Sequence, residues 1–256
     1  MCVPRFVGGC VGRFCGLNFL EIRKMKNLCA TLVTGLVLSF AGTALAQTGA
    51  APSTPKTDGA KVAEKAKEAV KGAKAGDVKV GDKAPDFTIT DTDGKSHNLA
   101  ELNKSGKIVV LQWFNSECPY VVKHYGDAGN TFNDIQKNYA SKGVVLIAVN
   151  SGGKGKAGTG KELNQKVKET WKMAYPIVLD ESGEIGRAYG AKNTPAMYIV
   201  NKDGIVAYTG AIDDDKGSEK PGKTNYVTKA LDQLIAGETV TTSETKPYGC
   251  GVKYGS

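Results

Sequence analysis

Apolar and polar positions alternate in a way that changes character near Val78. Beyond that point short, β-branched apolar runs recur between stretches of helical spacing. Asp86 to Thr90 reads as a short strand closed by the turn Asp91-Thr92-Asp93-Gly94, and Lys107 to Phe114 (KIVVLQWF) as a buried strand. Pro119 to Ala140 carries a helical pattern, interrupted near Gly126 to Asn130. Gly143 to Asn150 (GVVLIAVN) is a second buried strand, Glu162 to Met173 a helix, and Tyr175 to Asp180 a short strand. Ala196 to Val200 and Ile205 to Gly210 flank Asn201-Lys202-Asp203-Gly204 as a hairpin, and Asn225 to Ala236 is a closing helix. Strands alternating with helices, then a hairpin and a helix, predict an α/β sandwich about a mixed sheet. There is no internal repeat.

Upstream of Val78 the pattern differs. Met25-Lys26-Asn27 is a short positive start, Leu28 to Phe40 an apolar stretch, and Thr43-Ala44-Leu45-Ala46 a small-residue cleavage site. This predicts a secretory signal over 25–46, cut between Ala46 and Gln47. The apolar run is shorter than the roughly 20 residues that span a bilayer, so no stable membrane insertion is expected after cleavage. Residues 1–24 form an extension ahead of the signal, and translation is expected to begin at Met25. Residues 47–77 are rich in Ala, Lys and Gly with little large apolar content, which predicts a disordered tether. The domain organisation is thus extension and signal over 1–46, tether over 47–77, and a folded domain over 78–256.

The net charge of +8 over 256 residues invites a polyanion partner, but its placement argues otherwise. Residues 1–46 carry +4, residues 47–78 carry +2, and only +2 remains on the folded part. No nucleic-acid footprint follows from that. Apolar residues at 41% sustain a packed core. Of the six cysteines, Cys2, Cys10, Cys15 and Cys29 precede the cleavage site, which leaves Cys118 and Cys250 in an exported chain.

The segment WFNSECPYV, Trp113 to Val121, concentrates the chemistry. A buried strand ends, and Cys118 follows just before Pro119, which suits the first helical position because it has no N–H. A cysteine at a helix start meets free backbone N–H groups that favour thiolate, the form that attacks disulfides and peroxides. Lys123 would assist and Glu117 oppose. The bland alternative is an inert thiol or half of a structural disulfide.

Four blocks in order carry a family resemblance: GDKAPDFTITDTDGK (Gly81 to Lys95), WFNSECPYV, YGAKNTPAMYIVNKDG (Tyr189 to Gly204) and KPYGCGVKY (Lys246 to Tyr254). Residues 79–256 resemble the redoxin, or peroxiredoxin-like, branch of the thioredoxin-fold superfamily (the alkyl hydroperoxide reductase/thiol-specific antioxidant group). The resemblance implies a thioredoxin-like three-layer sandwich and thiol redox chemistry, with Cys118 as the attacking cysteine. It also implies a cis Thr194-Pro195 bond facing that cysteine. The departures are specific. Val121 stands where a CxxC protein has its second cysteine, so no vicinal disulfide can form. Asn115, Leu111 and Thr194-Pro195 stand where typical peroxiredoxins have Thr, Pro and Arg.

Cys250, between Gly249 and Gly251, is then expected on a mobile tail that resolves an oxidised Cys118. The alternative is a permanent Cys118–Cys250 bond, closing about 130 residues and stabilising by on the order of 5 kcal/mol in the chain-entropy model. Asn115 and Ser116 are expected as polar contacts of Cys118, and Trp113 as the wall beneath it.

Weaker signals are read as structural. GKAGTGKE (Gly155 to Glu162) nearly matches a phosphate loop, but Glu162 replaces the hydroxyl residue, so a flexible basic loop is expected. His97 and His124 are the only histidines. His124 is expected at the surface, and no zinc site follows from two histidines and two cysteines. Asp213-Asp214-Asp215 reads as a solvated turn. The expectation is an exported antioxidant thiol oxidoreductase in the periplasm or outside the cell, with Cys118 attacking and Cys250 resolving. It would use an external thiol reductant (thioredoxin-like or a membrane reductase) and a peroxide or disulfide substrate. No metal, flavin or nicotinamide is implied. A thiol-exchange protein acting on protein clients, or a non-catalytic module with a fixed disulfide, stands as the alternative.

Overall fold

The structure is a computed structural model and describes residue 76 and residues 78–255. The expected extension, signal and most of the tether lie outside the described residues.

Two parallel strands form the centre. β3 (Ile108–Trp113) and β4 (Val144–Asn150) pair from Ile108 with Val144 to Trp113 with Val149. Every β3 residue is buried, as a continuous apolar run flanked on both faces requires. The full sheet has the order β5-β4-β3-β7-β8, with β5 (Ile177–Leu179) parallel to β4. β7 (Ala196–Val200) and β8 (Val206–Gly210) form the expected antiparallel hairpin, and β7 joins β3 antiparallel. The sheet is therefore mixed.

The period-2 alternation of these strands divides the core into two layers. Val110, Leu146, Ala148, Ile177 and Ile199 face one side. There they meet α3 (Thr131–Tyr139) through Phe132, Ile135 and Tyr139, and α6 (Tyr226–Ile235) through Val227, Ala230 and Leu231. Those spacings are single helical faces. Val109, Leu111, Trp113, Val149 and Tyr198 face the other side, with Leu99 of α1 (Leu99–Lys104) and Ile185 of α5 (Glu184–Ala188). Helices on both faces of one sheet make the three-layer sandwich.

Several elements escape the hydrophobic pattern. The expected β1 (Thr88–Thr90) pairs with β2 (Ser96–Asn98), a polar strand the pattern does not mark, and Asn98 then caps α1 by accepting the Glu101 N–H at 2.7 Å. α4 (Lys161–Thr170) is shorter than expected. β6 (Asn193–Thr194) and β9 (Cys250–Gly251) form a separate antiparallel pair, with Thr194 opposite Cys250. The tail is thus a docked strand, not a mobile arm. It is held by the β6 pairing, by Gly153 N–H to Lys253 O at 2.8 Å, and by Tyr254 Oη to Ala191 O at 2.7 Å. The loop after β4 is also anchored rather than flexible. Asn150 donates to Gly158 O at 2.8 Å, and Asn164 donates to Gly160 O at 2.7 Å.

Candidate active site

Strand β3 delivers the chain to the site and the next five residues shape it. After Phe114, the Asn115 side chain accepts the Glu117 N–H at 2.8 Å, an Asx-type turn that reverses the backbone. Its amide donates to Ala157 O at 3.0 Å, tying this turn to the loop after β4. Cys118 is the N-cap of α2 (Pro119–Val122), with Pro119 in the first turn as expected. The helix is only four residues long, so its contribution to the local field is small.

Cys118 is 2% exposed. Its Sγ–H donates to Thr194 O at 3.0 Å, and the Thr194-Pro195 bond is cis. Opposite Thr194 across the β6–β9 pair lies Cys250, so both cysteines meet at Thr194. Both thiols are free. Burial, then the hydrogen bond and charge of Cys118, push the Cys250 thiol up to about 11, with Lys253 opposing. Cys250 therefore keeps its proton at neutral pH.

The other expected site residues are distributed unequally. Thr194 and Pro195 stand at the thiol pair. Asn115 contributes its backbone carbonyl to the Cys118 N–H at 3.1 Å, while its side chain serves the turn. Ser116 Oγ and Thr194 Oγ1 are buried without hydrogen-bond partners among the described residues. Trp113 is not the wall beneath Cys118. Strand alternation sends it to the opposite face, where it packs on Tyr189 and Tyr198 and donates to Ser151 Oγ at 3.1 Å. Phe114 packs in the same core layer as Cys118. Lys123 turns away from the thiols, its ammonium donating to Asp215 O at 2.6 Å and Gly217 O at 2.9 Å.

His124 corrects another expectation, because it is fully buried. It faces Asp213, also buried, at 3.9 Å, and Thr131 Oγ1 at 3.1 Å. Burial pushes its imidazole down to about 4, with Asp213 opposing and Lys123 adding, so it is neutral at pH 7. Asp213 is likewise no solvated turn residue: its carboxylate accepts from Gly222 N–H at 2.5 Å and from Tyr248 Oη. The remote partners explain why these residues were missed, since nothing local to Lys123-His124 marks them as interior.

A family model for redoxins matches residues 79–227. The chain belongs to the redoxin family. Thiol-disulfide oxidoreductase ResA of Geobacillus thermodenitrificans is 30% identical over 137 residues, covering 50% of this chain and 67% of that protein. The Bacillus subtilis protein of the same name is 29% identical over 152 residues, covering 57% and 78%. Among solved structures, an uncharacterized conserved protein from Geobacillus kaustophilus superposes with a TM-score of 0.61 at 30% identity, over 69% of this chain and 93% of that one. A hypothetical protein from Sinorhizobium meliloti 1021 shares the fold, with a TM-score of 0.62 at 24% identity over 71% and 97%. This redoxin is a thiol-based oxidoreductase with a thioredoxin-like fold.

Proposed function

We propose that this redoxin is an exported thiol-disulfide oxidoreductase whose redox couple is Cys118 and Cys250. One observation carries the reading: Cys250, roughly 130 residues on from Cys118, lies opposite Thr194 in the β6–β9 pair, and the Thr194 carbonyl accepts the Cys118 thiol at 3.0 Å. The thiolate of Cys118 attacks a substrate disulfide, forming a mixed disulfide and releasing one substrate thiolate. Cys250 then loses its proton and attacks the Cys118 sulfur. That step forms the Cys118–Cys250 disulfide and releases the second substrate thiol. Two thiols of an external reductant, thioredoxin-like or a membrane reductase, restore the pair and leave as a disulfide. The neighbourhood supports this order, because Cys118 stands at the start of α2 beside the cis Thr194-Pro195 bond while Cys250 is held protonated in the tail. The relatives named thiol-disulfide oxidoreductases support the substrate class.

Peroxide reduction is the second reading, favoured by the same contact. Peroxide would convert Cys118 to a sulfenic acid and leave as alcohol or water, and Cys250 would condense with it, releasing water. Against it, the Asn115 amide is engaged by Ala157 and Glu117, and Pro195 stands where typical peroxiredoxins carry arginine. The export reading rests on residues 25–46, and the tether on 47–77.

The test is to react the reduced protein with hydroxyethyl disulfide and with hydrogen peroxide in parallel. Disulfide exchange clearly faster than that of free cysteine, ending in a Cys118–Cys250 bond and abolished by Cys118→Ser, supports the first reading. Rapid reaction with peroxide alone would replace it with the second, and reaction with neither would leave a structural module.

A further inference from the structure

Below α2 lies a buried polar cluster that the chemistry above does not use. Tyr248, two residues before Cys250, is 8% exposed, and its Oη donates to the Asp213 carboxylate. The same Oη lies 3.5 Å from His124 Nε2. Lys123 Nζ sits 4.6 Å from the centre of the Tyr248 ring and 3.7 Å from Asp213. The Tyr248 ring also lies 6.2 Å from that of Tyr120, which follows Pro119 in α2. The cluster thus joins three segments: the helix that starts at Cys118, the loop after β8, and the tail that carries Cys250.

Apolar contact alone would dock a tail of this kind. Burying an ammonium, a carboxylate and a phenol is costly unless every group is partnered, and partnered groups fix position more narrowly than apolar packing does. Here the ammonium has two carbonyls, and the carboxylate has the phenol and backbone N–H groups of Gly222 and Asp215. A hydrogen bond to a charged acceptor is also stronger than a neutral one.

We propose that Tyr248 is a positioning residue of the redox couple: its bond to Asp213 latches the tail so that Cys250 is held on Cys118. The proposal rests on the Cys118–Cys250 couple described above. The latch raises the effective concentration of the second thiol at the first. It also keeps β9 on the β6 edge beside Cys118. That edge offers the backbone groups with which an extended polypeptide would pair, so such a chain gains it only when the latch opens.

The test compares the full chain with Tyr248→Phe, which keeps the ring over Lys123 and removes only the hydroxyl. Equilibration in glutathione buffers, read by mass spectrometry, gives the potential of the couple. Loss of the latch is expected to lower the effective concentration about tenfold, raising the potential by about 30 mV. The Cys118–glutathione mixed disulfide should then outlive that of the parent. Asp213→Asn exchanges the charged acceptor of the same bond for a weaker neutral one, and in the double variant the two effects should not add. A second readout needs no disulfide. In a Cys250→Ser background, Tyr248→Phe should speed labelling of Cys118 by iodoacetamide about tenfold, with unchanged far-UV circular dichroism. Unchanged labelling and an unchanged potential would overturn the latch. If no Cys118–Cys250 disulfide forms in the parent, the redox couple fails, and labelling alone decides the latch.

Discussion

Gly249 is the narrowest point in the docking of the tail, and substituting it separates tail placement from tail chemistry. Its φ is +114°, a conformation that side-chain-bearing residues rarely adopt. A Cβ there would lie 2.9 Å from Thr194 C and 3.3 Å from Pro195 Cδ, and would overlap Thr194 O still more closely. These are backbone and ring atoms beside the cysteine, so they cannot swing aside. Gly249→Ala must therefore lift the tail off β6 by on the order of an ångström, and a misplacement of that size slows a reaction between positioned groups about a hundredfold. Gly251→Ala is the matched control, because the nearest atom to a Cβ there is Lys192 O at 4.0 Å. The assay is stopped-flow formation of the Cys118–Cys250 disulfide from the Cys118 mixed disulfide. Gly249→Ala is expected to slow it about a hundredfold, with a stability loss of about 1 kcal/mol or more from the strained φ that is read separately by thermal unfolding. A Gly249→Ala variant that resolves as fast as Gly251→Ala would refute the claim that the β6–β9 pairing positions Cys250.

Three further outcomes follow from the buried groups. His124 is held neutral, its pKa lowered from 6.5 to about 4 by burial, so its contribution to stability is complete above pH 6.5 and lost as pH falls toward 4. Urea unfolding should show up to about 3 kcal/mol of loss over that window, and His124→Gln should remove that part of the pH dependence. Alkylation of Cys250 should rise with a midpoint near pH 11, and Cys118→Ser should lower the midpoint by removing the neighbouring sulfur whose effect adds to burial. Gly158→Ala, at φ +77°, would drive a Cβ to 2.7 Å from Asn115 Cγ. It and Asn115→Ala disturb one contact, so each should destabilise by about 1–3 kcal/mol in thermal or urea unfolding, and the double variant by less than the sum.

The sheet was legible because its information is local. KIVVLQWF and GVVLIAVN are β-branched runs bounded by turns, and they fold as β3 and β4 nearly end to end. The helix start at Cys118-Pro119 was legible for the same reason, since proline marks the position by its missing N–H. What escaped was set at long range. β9 is two residues long, and it exists because Asn193–Thr194 lies beside it. Lys123 is expected beside the Cys118 thiolate and His124 at the surface, yet both are buried because Asp213 and Tyr248 arrive from distant parts of the chain. Trp113 and Cys118 pack in different core layers, because proximity in sequence says nothing about the alternation of a strand that ends between them. The glycines of the tail predict mobility. In the fold Gly249 instead permits a close approach to the Thr194 carbonyl.

The most direct test of the redox couple is peptide mapping of the full chain after the reduced protein has reacted with one equivalent of hydroxyethyl disulfide. The account predicts loss of two thiols and a single cross-linked peptide pair joining Cys118 to Cys250. A stable hydroxyethyl adduct on Cys118, with Cys250 still free, would contradict it.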